Sequence, residues 1–272
     1  AITNPYPTIT GGGAVEALPL YEYHAYGCDL TGTLDLTDLE NIEGSLRVEN
    51  NSNLTTITPP AGITPMAGAS AFGMEEISAF NCNLTGTLDL SVFDFIGGIV
   101  YLHNNPNLTG VTFTPTFDTA SADFTLLDIS SCNLGGSLDL SQLTNLAGQV
   151  LLNNNSNQTG YTFPTPDLST GELELLDISN NAGVLTINIS NLTNLTGFRC
   201  QNNAYTGVTY PTPRAGISEM TLLDLNGTSI GGIHNISALT HIGATVIDFG
   251  NTNVSNFTFP VINSSANALI SF

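Results

Sequence analysis

The chain has 272 residues, with 41% hydrophobic side chains and a mean hydropathy of +0.16, which is enough apolar content to bury a core and too much for a disordered chain. Only 10% of residues are charged, against about 25% in an average globular protein; 23 are acidic, three are basic (Arg47, Arg199 and Arg214), and lysine is absent. A net charge of −20 lacks the basic footprint that phosphate backbones and anionic membranes require, and no apolar run reaches the ~18 residues of a bilayer span, so neither nucleic-acid binding nor membrane insertion is expected.

In chain order, residues 1–17 carry Asn4-Pro5-Tyr6-Pro7-Thr8 and resemble the stretch that starts at Tyr210-Pro211, so they read as a partial turn. Residues 18–267 then hold five units. They are CDLTGTLDLTDLENIEG from Cys28, CNLTGTLDLSVFDFIGG from Cys82, CNLGGSLDLSQLTNLAG from Cys132, NAGVLTINISNLTNLTG from Asn181 and TSIGGIHNISALTHIGA from Thr228. Successive spacings are 54, 50, 49 and 47 residues, the signature of a repeat architecture. Each unit has two halves. First halves open on strands such as Leu126-Leu127-Asp128-Ile129, and second halves on strands such as Val150-Leu151-Leu152-Asn153. Residues 268–272 read as a further edge strand, so residues 1–272 form a single domain.

Both halves fit L-x-L-x-x-N/C, carried by Leu127/Ile129, Leu176/Ile178, Leu223/Leu225 and Val150/Leu152, with Cys132, Asn181, Thr228 and Asn155 at the final position. On these residues the chain resembles the leucine-rich repeat family, of a secreted bacterial or plant-like kind, over roughly residues 18–272. The resemblance implies a mainly β, right-handed solenoid with one parallel sheet, built from five ~50-residue double repeats, about ten turns. A parallel β-helix has a similar turn length and is the alternative fold. The segment from Val246 to Phe259 is out of register by about one residue. Alternating apolar residues of each strand point inward, and the Asn or Cys beyond it satisfies buried backbone groups. The outer face is expected to carry short 3₁₀ turns, strands and loops, because no long amphipathic helical pattern occurs there.

Cys28, Cys82 and Cys132 occupy equivalent places two turns apart, roughly 10 Å at about 4.8 Å per turn, too far for a disulfide. Cys200 matches the inward Leu152, so all four are expected as buried thiols. Fourteen N-x-S/T sequons occur, at Asn50, Asn53, Asn83, Asn107, Asn154, Asn157, Asn188, Asn191, Asn194, Asn226, Asn235, Asn253, Asn256 and Asn263, against roughly six for random placement of this composition, and most of the excess follows from the N-L-T phrase of the repeat. The four histidines fall in no metal-ligand spacing, and neither a nucleophile elbow nor a phosphate loop occurs, so no enzyme activity and no cofactor are expected. Asp35, Asp89 and Asp139 recur in the L-D-L phrase and would suit calcium, without a further ligand pattern to support it.

The outward column of the strand face is the candidate binding surface, with Asp128, Asp177, Arg199 and Asp224 as its charges and Tyr26, Phe80 and Tyr101 as aromatic anchors. Spacing predicts that Arg199 lies between Asp177 and Asp224, where a cross-strand charge ladder is the structural alternative to a ligand stripe. Both ends look uncapped. Tyr6, Leu18 and Leu20 at one end, and Leu269, Ile270 and Phe272 at the other, are candidate assembly residues. These features together lead to the expectation of an extracellular, non-enzymatic subunit that stacks on itself head to tail, with covalent glycans. A binding module for a protein or glycan is the alternative.

Overall fold

The computed structural model describes residues 20–37, 42–59, 74–93, 96–113, 124–166, 171–183, 185–212, 220–239, 242–250 and 252–259. Ten strands form one parallel sheet. They are β1 (Leu20–His24), β3 (Ile42–Arg47), β5 (Met74–Ser78), β7 (Ile96–Tyr101), β9 (Phe124–Asp128), β11 (Leu146–Leu151), β13 (Leu173–Asp177), β15 (Gly197–Arg199), β17 (Met220–Asp224) and β19 (Ile242–Asp248), adjacent in that order. The strands between them are β2 (Thr31–Asp35), β4 (Asn53–Thr58), β6 (Thr85–Asp89), β8 (Asn107–Thr112), β10 (Gly135–Asp139), β12 (Asn157–Thr162), β14 (Thr186–Asn188), β16 (Gly207–Thr209), β18 (Gly231–Asn235) and β20 (Asn253–Thr258). They pair in parallel as β2-β4, β6-β8, β10-β12, β14-β16 and β18-β20. The protein is therefore a mainly β parallel solenoid, as the repeat implies. Among the described residues no helix is long and apolar enough to cross a membrane.

Period-2 alternation in the sheet strands builds the core. Leu127, Val150, Leu176, Phe198 and Leu223 are register partners from strand to strand and are wholly buried. One inward step further on, Ile129, Leu152, Ile178, Cys200 and Leu225 form a second buried column. Each such side chain contributes about 1.5–3 kcal/mol through removal from water. The last sheet strand shows the register change visible in the sequence. Met220 and Leu222 of β17 face Ile242 and Val246 of β19, whereas Phe124 and Leu126 of β9 face Leu146 and Gln149 of β11. The β19 bulge thus holds one residue more.

From β3 to β17, each described turn leaves the sheet through a residue in the left-handed region followed by a buried polar or cysteine side chain. Asn50, Asn104, Asn154, Asn180 and Asn202 have φ of 60, 58, 60, 56 and 53°. The asparagine after each of them is buried. Asn105 is typical: its Nδ2 donates to the carbonyls of Ala79 (2.9 Å) and Leu102 (2.7 Å), and its Oδ1 accepts from Leu84 N (3.1 Å). Asn51 makes the same kind of bonds one unit earlier, through Ala25 O, Val48 O, Cys28 N and Leu30 N. Outside, the left-handed asparagines form their own amide ladder, with Asn104 Nδ2 donating to Asn81 Oδ1 and Asn81 Nδ2 to Asn50 Oδ1, both at 2.9 Å.

Two expectations need correction. The outer face carries the five two-stranded sheets and turns, and no 3₁₀ segment occurs among the described residues. All four thiols are free, but Cys28 is exposed while Cys82, Cys132 and Cys200 are buried. Cys82 and Cys132 pack their Sγ atoms toward the Val48 and Leu102 carbonyls of the preceding turn, and no described turn precedes Cys28. Burial pushes the Cys132 and Cys200 thiols up to about 12, so they stay protonated and inert at neutral pH.

Candidate functional site: the outward face of the sheet

Register fixes one column of outward side chains: His24, Arg47, Ser78, Tyr101, Asp128, Leu151, Asp177, Arg199, Asp224 and Asp248. Tyr26, Phe80, His103, Ser130, Ser179, Gln201 and Asn226 each follow two residues later and line the neighbouring column. The sheet thereby brings the candidate residues onto one face and divides them into an aromatic end and an acidic end.

At the aromatic end, Tyr26 is 53% exposed, and the Arg47 guanidinium lies 5.2 Å from its ring centroid, a cation–π distance. Arg47 Nη2 is 2.7 Å from Glu49 Oε1, and its Nε is 3.6 Å from Glu76 Oε1. Phe80 stacks on His103 with centroids 4.6 Å apart and planes at 8°. Tyr101 sits edge-on to both, at 6.1 and 5.9 Å. Such a half-buried aromatic group offers flat apolar faces with polar rims, suited to contact rather than to bond-making.

At the acidic end the aspartates are less available than outward direction alone suggests. Asp128, Asp177 and Asp224 are each about nine-tenths buried between neighbouring strands. Asp128 Oδ1 accepts from Ser130 N (3.0 Å) and Ser130 Oγ (2.6 Å), and Asp177 holds Ser179 in the same way. Asp224 accepts from Asn226 N and from the Gln201 amide. These carboxylates shape the exit of each strand by local side chain-to-backbone bonding. Arg199 lies between Asp177 and Asp224 in register, its Nη1 at 4.0 Å from Asp177 Oδ2. With the arginine side chain 44% exposed, that pair contributes little net stability.

His103 Nδ1 lies 3.1 Å from Asp128 Oδ2, on the carboxylate that also holds Ser130 Oγ. Hydroxyl and imidazole both address the aspartate and not each other, whereas activation of a serine nucleophile needs the histidine in the middle. Asp35, Asp89 and Asp139 hold the backbone N–H groups of Thr37, Ser91 and Ser141 on the outer sheets. Among the described residues no group of three or more His, Cys, Asp or Glu side chains could hold a metal ion.

The sequon asparagines divide by exposure. Asn50, Asn53, Asn107, Asn154, Asn157, Asn188, Asn191, Asn235, Asn253 and Asn256 are exposed, and Asn83 and Asn226 are half-buried. Asn194 is wholly buried, and its Nδ2 donates to the carbonyls of Leu146 (3.2 Å) and Gly171 (2.8 Å). A glycan on that nitrogen is incompatible with this fold, which corrects one member of the candidate set. Asn263, and the assembly candidates Tyr6, Leu18, Leu269, Ile270 and Phe272, lie outside the described residues, as does the side chain of Leu20.

His234 is a buried histidine to which the sequence pattern assigns no role. It is 5% exposed, its Nε2 is 2.7 Å from Tyr210 Oη, and its ring packs edge-on against Phe249 and Phe257. Burial lowers its pKa below the usual 6.5, because the charged imidazolium loses hydration. The unfolded chain therefore binds a proton near pH 6.5 that the folded chain refuses until lower pH. Stability should fall as pH drops below about 6.5 and level off beneath the folded pKa. Denaturation midpoints measured across that range should show this loss for the native chain and a smaller one for His234→Phe.

In comparisons with known proteins, neither a protein family, nor a curated protein, nor a solved structure matches this chain.

Proposed function

We propose that the chain is a non-enzymatic extracellular structural protein, a leucine-rich-repeat-like solenoid whose copies stack head to tail into a filament and carry N-linked glycans. One observation carries the reading. Among the described residues, the large sheet runs from β1, a first-half strand, to β19, a second-half strand, in strict alternation, and each of these two end strands has its ladder partner on one side. A second copy set against either edge extends both the backbone ladder and the alternation of halves. Unpaired parallel edges are templates for strand addition, and identical head-to-tail contacts that do not close make fibres. The exposed sequons and a surface of uncharged polar groups suit an extracellular location. The test is electron microscopy and sedimentation of the intact chain over a range of concentrations, with mass spectrometry of glycopeptides from native material. Filaments with an axial repeat of about 50 Å, ten strands at about 4.8 Å each, are expected. Monomers at every concentration would reject the reading.

A second reading is favoured by the aromatic end of the strand face. Tyr26, Phe80, Tyr101 and His103 form a contact patch beside Arg47 and Glu49, as in a module that binds a protein or glycan. Monomers that capture a ligand, with capture lost in Tyr101→Ala, would favour it.

A further inference from the structure

We propose that the groove between the second and third outer sheets is a binding site for a neutral saccharide. The edges of β8 and β10 face each other across it without a ladder, and the bond from Asn133 N to Leu108 O closes the gap where the two strands begin. The groove has a volume of ≈ 380 Å³ and is lined by Thr112, Phe113, Ser137, Leu138, Asp139 and Gln158 among others. That volume is within the ~300–1,000 Å³ of small-ligand sites.

Gln158 points to a ligand. In the two preceding units the equivalent positions are Leu54 and Leu108, paired with Gly32 and Gly86 as Gln158 is paired with Gly136. All three side chains are wholly buried. The repeat thus places an amide where its own pattern has leucine, and burial of an amide is costly unless all its polar atoms are bonded. Gln158 Nε2 donates to the carbonyls of Gly136 and Gly160, which fixes the amide orientation, and Oε1 is left without a partner. A buried orphan acceptor on the wall of a groove calls for a donor from outside the chain.

The rest of the lining agrees on the class of donor. Asp139 commits Oδ1 to Ser141 N and adds carboxylate acceptor capacity, the Ser137 hydroxyl can give and accept, and the Thr112 hydroxyl, which donates to Asp89 Oδ1, can accept. Phe113 and Leu138 supply apolar surface for the C–H face of a sugar ring. The net charge of −20 disfavours acidic sugars. This site is independent of filament formation and lies apart from the strand-face patch.

Saturation-transfer and heteronuclear NMR titrations with cellobiose, maltose and lactose test it on the full chain. At least one disaccharide should saturate with a Kd of about 1 mM, and Gln158→Leu and Asp139→Asn should each weaken it about tenfold. Gln158→Leu should melt no lower than the native chain, because leucine restores the repeat, and Ile233→Ala, at an exposed position on β18 away from the groove, should bind normally. If Gln158→Leu fails to fold, Asp139→Asn decides. The proposal is overturned if none of the three sugars saturates, if the groove variants bind like the native chain, or if Ile233→Ala abolishes binding.

Discussion

Asn105→Ala is expected to lower the stability of the chain by about 3–5 kcal/mol, because it removes three hydrogen bonds to buried backbone groups and leaves two of those groups without a partner, at about 1–3 kcal/mol each. The Ala79 carbonyl loses its donor, the Leu102 carbonyl keeps only the Cys132 thiol at 3.3 Å, and the Leu84 amide loses its acceptor. Asn105 is wholly buried, so water does not replace the amide without opening the turn. The adjacent Asn104 is the control. It is exposed, it sits at φ 58°, and its side chain reaches only another exposed amide. Asn104→Ala should therefore cost about 1–2 kcal/mol, the penalty of a left-handed alanine. Urea denaturation of both variants checks the contrast. Equal losses would mean that the buried amide is not what closes the turn. With a total stability of about 5–15 kcal/mol, the larger loss would make the solenoid marginal.

That pair of residues also shows how far the sequence can be read. The strand periodicity, the two alternating halves and the inward columns follow from spacing alone, because a period of two and a repeat of constant length leave little freedom. Arg199 falls between Asp177 and Asp224 for the same reason. The Asn-Asn doublets signal two roles, one left-handed exposed residue and one buried residue, and the repeat pattern by itself identifies only the second. Burial is harder to read than direction. Asp128, Asp177 and Asp224 point outward yet are mostly covered, since parallel neighbours about 4.8 Å away on both sides cover a short side chain. Exposure of Cys28 depends on the turn stacked before it, which local sequence does not report. The gap between β8 and β10 is likewise a property of how whole units stack. Its sequence mark is a glutamine in a leucine position, recognisable only once Leu54, Leu108 and Gln158 are aligned by strand register.

Gly148→Ala should cost about 3 kcal/mol or more, for two reasons that a control can separate. Gly148 sits at the bulge of β11 with φ +61°, a conformation that an L side chain adopts at about 1–2 kcal/mol. A Cβ there would also collide with the Thr125 carbonyl oxygen and lie 3.0 Å from its carbon. Those atoms belong to β9, the neighbouring sheet strand, and cannot rotate away as the end of a flexible side chain could. Relief requires β9 and β11 to separate, which weakens the Leu126–Gln149 pair on the outward face and the buried Leu127–Val150 pair of the core. Gly86 isolates the backbone component, since it has φ +70° and no atom within 4 Å of the place a Cβ would take. Gly86→Ala should lose only about 1–2 kcal/mol, the cost of the left-handed backbone. Denaturant midpoints with unchanged slopes would give both values as stability differences. If the two variants matched, the close approach of β9 and β11 at the bulge would be without energetic weight. If Gly148→Ala lost more, Gly44, Gly98 and Gly197, which also sit against a backbone oxygen of the preceding sheet strand, would be what lets successive turns pack at ladder distance, the same requirement that a copy added at β1 or β19 has to meet.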